Sequence, residues 1–222
     1  NFRIQNISEQ PQFSKFDLKI SLIGKKKLLI KNIKIPIIGL HNIRNATAAI
    51  AVCYSIGISI NFIKKGLLNF RGVQRRFNYI FNYRGSDYYD DYAHHPTEIS
   101  EVLNSVSKVY KNKKIICIFQ PHRISRLKNL RKEFSLCFKK AHKVIMCPVY
   151  KAGENLSLGF KYYNFAKDII NNSKVELIMI NSQLDLYKNI KQTVYGNNIV
   201  IGMGAGSISN WMRNLPKIFN DK

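Results

Sequence analysis

Hydrophobic and polar positions follow two rhythms along this chain, and the rhythm changes near Phe70. Before it, "FRIQNI", "SKFDLKISL" and "KKLLIKNIKI" alternate as short strands, with Gly24 and a lysine run at one turn. The segment "GLHNIRNATAAIAVCYSIG" then switches to helical spacing. Ala46, Ala49, Ile50, Cys53 and Tyr54 recur at that period, and Gly57 is a candidate helix stop. Ser59 is placed to cap a second helix through "INFIKKGLLNF".

After Phe77 the order becomes regular. Strands "NYIFNY" and "DYYDDY" flank a turn at Arg84–Gly85–Ser86, and a helix from Pro96 carries Ile99, Val102, Leu103, Val106 and Tyr110 on one face. Strand "KIICIF" leads into one helix through Leu127, Leu130, Phe134 and Phe138, and strand "KVIMC" into another through Tyr163, Ala166 and Ile170. Strand "VELIMI", helix "SQLDLYKNIKQTV", strand "NNIVIGM" and helix "ISNWMRNL" close the series. Apolar strands alternating with amphipathic helices predict an α/β fold with a mostly parallel sheet covered on both faces. Such a sheet binds ligands at the carboxyl ends of its strands. Polar clusters follow "DYYDDY", "KIICIF" and "KVIMC", at those ends.

Composition narrows the class. With 222 residues, 45% of them apolar and 22% charged, the chain is a globular protein of one or two domains. Its apolar runs are too short to span a bilayer, and its start lacks the charged-then-apolar signature of a signal segment. Cys53, Cys117, Cys137 and Cys147 lie in apolar stretches without CxxC pairing. They read as small core residues in a reducing compartment, so a cytoplasmic location is expected. The net charge of +23 invites a polyanion partner. The lysines are scattered, however, and Ile and Asn are as over-used, which the shared A/T-rich codons of all three explain. No nucleic-acid partner is expected.

Five stretches carry candidate chemistry. In "DDYAHHPTEI", Pro96 suits a first helical position. The stretch is open to three readings: a histidine cap beside solvated acids, a metal site, or a strand-end carboxylate that chelates ribose hydroxyls. Adjacent histidines without HxH or HxxxH spacing argue against metal, and no metal ligands are expected in this chain. "FQPHRISR" puts His122, Arg123 and Arg126 after a strand, where arginine forks suit carboxylates or phosphates. "GVQRRF" sets Arg75 and Arg76 between the two halves. In "GLHNIRN", His41, Asn42 and Asn45 open a helix, and the two asparagines, three apart, share a face able to bond an adenine edge. "GMGAGS" links a strand to a helix without the Lys-Ser/Thr of a Walker A loop, and is either a phosphate cradle or a tight packing turn.

Together, "GLHNIRNATAAIAV", "GVQRRF", "DDYAHHPTEI", "FQPHRISR", "VYKAGE" and "GMGAGSI", in that order, resemble the Mur ligases of bacterial cell-wall (peptidoglycan) synthesis. The form "FQPHR" favours the member that adds L-alanine to UDP-N-acetylmuramate over the one that recycles murein tripeptide. A basic polyanion-binding module of the same fold is the other alternative. The resemblance implies that residues 1–74 are the C-terminal part of an α/β central ATP-binding domain, and that residues 75–222 are a Rossmann-like C-terminal domain. It implies ATP and Mg2+ as cofactors and an acyl phosphate as intermediate. By resemblance, His41, Asn42 and Asn45 contact adenine, Arg76 the ATP phosphates and Asp91 the ribose. His122, Arg123 and Arg126 position the substrate, with His94 and His95 beside Arg76 in the reaction; Tyr150 and Glu154 lie near the amino-acid pocket. A complete family member begins with a UDP-binding domain and a phosphate-binding loop. The expectation is therefore of a fragment, with most magnesium ligands elsewhere, that does not turn over alone.

Overall fold

A computed structural model describes residues 1–24, 26–154 and 160–220. The chain divides into two compact units, Asn1–Val73 with Lys108–Tyr110, and the remainder from Gln74.

In the first unit β1 (Phe2–Gln10), β2 (Phe13–Ile20) and β3 (Leu28–Ile35) form an antiparallel three-stranded sheet in that order. Phe16, Leu18 and Ile20 alternate into a core with Ile30, Ile33 and Ile35, as a half-buried sheet requires. Helix α1 (Leu40–Ser55) covers that core with Ile43, Ala46, Thr47 and Ile50, and α2 (Ile60–Leu68) adds Ile63. Gly57 ends α1 with φ +89, and its N–H bonds the Tyr54 carbonyl. Ser59 occupies the N-cap of α2, but its side chain makes no capping bond.

The second unit is a six-stranded sheet of order β4-β5-β9-β6-β7-β8. Its strands are β4 (Asn78–Tyr83), β5 (Ser86–Asp91), β6 (Lys114–Phe119), β7 (Lys143–Met146), β8 (Glu176–Met179) and β9 (Asn198–Met203). Only the β4–β5 hairpin is antiparallel; the remaining neighbours are parallel. The connecting helices are α3 (Pro96–Val109), α4 (Ile124–Asn129), α5 (Arg131–Leu136), α6 (Tyr162–Ser173), α7 (Gln183–Thr193) and α8 (Ile208–Asn220). The expected α/β class and mostly parallel sheet are observed. One expectation changes: the single helix drawn through Leu127 and Phe138 is two short helices broken at Leu130, where φ −114 and ψ 28 leave the helical region.

Strands β6 and β9 are buried almost throughout, as central parallel strands must be, and Ile116, Ile118 and Val200 join Met212 and Leu215 of α8 in one core. All four cysteines are free thiols. Cys117, Cys137 and Cys147 are buried here, and burial pushes each thiol up; Cys53, in the first unit, is half-buried. Among the described residues, no helix is long and apolar enough to cross a membrane.

Candidate functional site

The carboxyl ends of β5, β6 and β9 lie side by side, so the loops that follow them share one edge of the sheet. From β5 come Asp90 to His95. Both acids are buried, Asp90 at 0% and Asp91 at 2% exposure, which removes the reading of a histidine cap beside solvated acids. Asp90 Oδ2 accepts from Ser209 Oγ at 2.5 Å and faces Arg213 at 3.3 Å, which fastens α8 to β5. Asp91 Oδ2 accepts the Phe77 N–H at 2.8 Å and Oδ1 the Ala93 N–H at 2.7 Å. Burial pushes Asp91 up to about 6, against those two backbone bonds and the Arg76 charge, while Asp90 adds to the rise. Asp91 thus holds together the segments on either side of the β4–β5 hairpin. Any further donor would have to take a lone pair those bonds leave over.

The two histidines have different tasks. His95 is the N-cap of α3: its Nδ1 accepts the Thr97 N–H at 3.3 Å, and Glu98 Oε2 accepts the His95 N–H at 3.2 Å. This is a capping box with an imidazole in place of a hydroxyl. The same oxygen accepts the His94 N–H at 3.0 Å. Burial opposes the charge on Glu98, but those two N–H groups, the His94 ring and Arg76 outweigh it and hold the carboxyl below its usual range. His94 Nδ1 lies 2.9 Å from the Tyr92 carbonyl and 3.4 Å from Glu98 Oε2. Both partners are acceptors, so Nδ1 carries a proton.

From β6 come Gln120, His122, Arg123 and Arg126. The His122 ring stacks on Tyr150 at 5.6 Å and meets the His94 ring edge-on at 5.7 Å. Burial, then the charges of Arg126, His94 and Arg123, lower the His122 pKa, so the ring is neutral near pH 7. Arg126 Nη1 approaches His122 Nδ1 at 3.4 Å, which leaves the proton on Nε2 as a donor. Positive charge at this edge therefore rests on the exposed Arg123 and half-buried Arg126. Arg123 is held at φ +66, and its N–H bonds the Tyr150 carbonyl at 3.0 Å, so the β6 and β7 loops are tied together. Glu154 accepts from both Ser125 Oγ and the Ser125 N–H, and these bonds depress its pKa. It steadies the start of α4.

"GMGAGS" resolves towards close packing. Gln120 donates to Ser207 Oγ at 3.0 Å and accepts the Ile208 N–H at 3.0 Å, so one amide clamps the start of α8. A Cβ on Gly206 would stand 2.5 Å from Gln120 Oε1 and 2.5 Å from Tyr150 Cγ, closer than any real contact. Arg75, at φ +60, donates to the Gly204 carbonyl at 2.6 Å and stacks over Tyr92 at 4.6 Å. Arg76 is exposed, 5.6 Å from the same ring.

The geometry thus gathers Arg76, Asp91, His94, His95, His122, Arg123, Arg126, Tyr150 and Glu154 in the second unit. His41, Asn42 and Asn45 lie on α1 of the first. There Asn42 directs its amide to the Ile38 carbonyl at 2.7 Å, while Asn45 is exposed. Sequence reasoning missed Glu98 and Gln120. The proline-led "HPTE" pattern, with Glu at the third helical position, was a visible signal for the first; a lone glutamine gives none for the second.

The exposed cations fit a polyanionic cofactor such as ATP. A metal ion is not fitted: among the described residues, no group of three or more His, Cys, Asp or Glu is placed to hold one.

The family profile "Mur ligase, glutamate ligase domain" matches residues 75–206. The chain is 64% identical over 218 residues to UDP-N-acetylmuramate–L-alanine ligase of Pelagibacter ubique, covering 98% of this chain and 47% of that protein. It is 38% identical to the Bartonella tribocorum protein of the same name, covering 96% of this chain and 45% of that one. The crystal structure of UDP-N-acetylmuramate-alanine ligase from Thermotoga maritima superposes with a TM-score of 0.78 at 28% identity, over 98% of this chain and 45% of that one. The chain thus spans about half the length of the relatives it matches.

Proposed function

This chain belongs to the Mur ligase family, and on that premise we propose that it forms part of an ATP-dependent ligase. The enzyme joins L-alanine to UDP-N-acetylmuramate in the cytoplasm, as a step of cell-wall precursor synthesis. The observation that carries the reading is the cluster after β6, where Arg123 and Arg126 flank a neutral His122 that stacks on Tyr150 and meets His94. Two guanidinium forks and an Nε2–H donor suit a carboxylate, the group on which an acid–amino-acid ligase acts. The name of the 64% identical relative supports the same substrates.

ATP, when bound, supplies the phosphoryl group that turns the muramate carboxylate into an acyl phosphate open to the alanine amine. The residues of this chain supply placement and charge. Arg76, exposed beside Tyr92, is proposed for the nucleotide phosphates. Asp91 is proposed for the ribose, through a lone pair left by its two backbone bonds. His41, Asn42 and Asn45 are proposed for the adenine. Arg123 and Arg126 hold the substrate carboxylate, and His122 donates to it. Pre-placed cations of this kind stabilise charge that develops on a transferring phosphoryl group without having to reorganise. His94, its Nδ1 committed to the Tyr92 carbonyl and its ring against His122, is proposed to act beside Arg76 in the reaction. His95 and Glu154 act by holding the α3 and α4 starts, and Tyr150 borders the alanine side. The expected Mg2+ lies outside what the described residues fit, and no step is derived through it.

The test is a chimaera in which this chain replaces the matched 218 residues of the Pelagibacter ubique relative. Phosphate release should require ATP, UDP-N-acetylmuramate and L-alanine together. Arg126→Ala should lower kcat/KM by roughly 100-fold or more, the scale of one lost charge-stabilising group. Release that ignores alanine, or an Arg126→Ala chimaera with unchanged kcat/KM, overturns the reading.

A further inference from the structure

The basic residues are scattered along the sequence, but the fold brings three of them to one cavity in the second unit. This cavity, of about 270 Å3, is lined by Lys128 of α4, Arg131 at the start of α5, Phe160, Lys161, and Asn164 in the first turn of α6. Among the described residues, no acid lines it. Arg131 is held in place from outside the cavity, where its Nε donates to Asp168 Oδ2 of α6 at 2.5 Å. That bond uses one of the guanidinium donors and leaves the two Nη groups for an incoming anion. Lys128 stands two residues past Arg126 on α4, and positions two apart do not share a helix face, so it is turned away from the cluster at His122. Half-buried Phe160 packs on Phe165 at 5.8 Å and gives the cavity one apolar wall.

Two ammonium groups, a guanidinium fork and a side-chain amide around one space all offer N–H donors, which is the chemistry of an oxyanion site. Three cations against the single carboxylate of Asp168 leave an excess of two positive charges there. The first turn of α6 holds no acid, so its positive end adds to the same field. A ligand with two or more negative charges relieves the mutual repulsion of these cations, and a monoanion relieves it less. We propose that this cavity is a second anion site, separate from the Arg123–Arg126 cluster, which binds a pyrophosphoryl group, either free or carried by a nucleotide whose base meets Phe160. The site goes beyond the ligase reading given above and does not depend on it.

The test titrates this chain with sodium pyrophosphate in metal-free buffer and follows the Asn164 side-chain amide and the Phe160 ring by NMR. Saturable shifts of both are expected. Lys128→Gln with Lys161→Gln should raise the dissociation constant read at these groups by about tenfold or more, the scale of lost bonds to a charged partner. Lys139→Gln with Lys140→Gln removes the same charge from exposed positions outside the cavity, and Arg126→Gln removes one cation of the substrate cluster. Both should leave that constant within about twofold, because exposed charges at a distance are screened. A repeat with ADP separates the two sources. Tighter binding than pyrophosphate assigns the site to a nucleotide, equal or weaker binding assigns it to the free anion, and both support it. Amide spectra should show the variants folded; should the double variant unfold, Arg131→Gln alone carries the test, with a loss in the same direction. Shifts that do not saturate, equal weakening by the two double variants, or an equal loss on Arg126→Gln overturns the proposal.

Discussion

Asp91 is the residue whose environment most changes its chemistry. Its carboxyl titrates near 6 in the folded protein, above the ordinary value of 3.8. Between roughly pH 4 and 6 the folded state therefore holds a proton that the unfolded state has released. Stability from this group is present at the acid end and is lost as pH rises through 6, by on the order of 3 kcal/mol for a shift of about two units. Denaturant melts of the wild type and Asp91→Asn between pH 4.5 and 7.5 should show this loss in the wild type only; parallel slopes would remove the buried-carboxylate account. The types of the site residues were legible in the sequence, but their states were not. That both acids are buried, and that His95 caps while His94 faces His122, depends on contacts between segments up to 119 residues apart, such as Ser209 on Asp90. Local pattern does not report such contacts.

At the level of elements, strand and helix order was readable because each apolar run has one dominant period, and the parallel sheet followed from the alternation. Two things were not. The break at Leu130 falls inside an unbroken helical pattern of Leu127, Leu130, Phe134 and Phe138, so periodicity conceals it. The glycine loop was ambiguous because a packing turn and a phosphate cradle need the same residues. What decides it is Gln120, which reaches from β6 to the start of α8, with Gly206 leaving the room. Gly206→Ala should therefore destabilise the second unit by about 1–3 kcal/mol, the usual cost of overpacking. Gln120→Ala in the same background should recover part of that loss, since it removes one of the two clashing groups. A double-mutant cycle with no coupling would show that the contact is not what excludes a side chain there.

On the scale of the whole molecule, the two units have separate hydrophobic cores, one built on β1–β3 and the other on the six-stranded sheet. The cysteines are divided between them: Cys53 belongs to the first, and Cys117, Cys137 and Cys147 to the second. In the native protein a thiol reagent should modify Cys53 promptly. The other three, buried and with burial favouring the unreactive protonated thiol, should wait for their unit to open. Mass spectrometry along a labelling time course in rising urea should then give the opening free energy of the second unit, with Cys53 as the reference for an accessible thiol. A single shared rate for all four sites would mean that burial does not protect the three thiols of the second unit. Since no tag or dye need be added, the six-stranded unit carries its own clock, and the reference that calibrates it, in one chain.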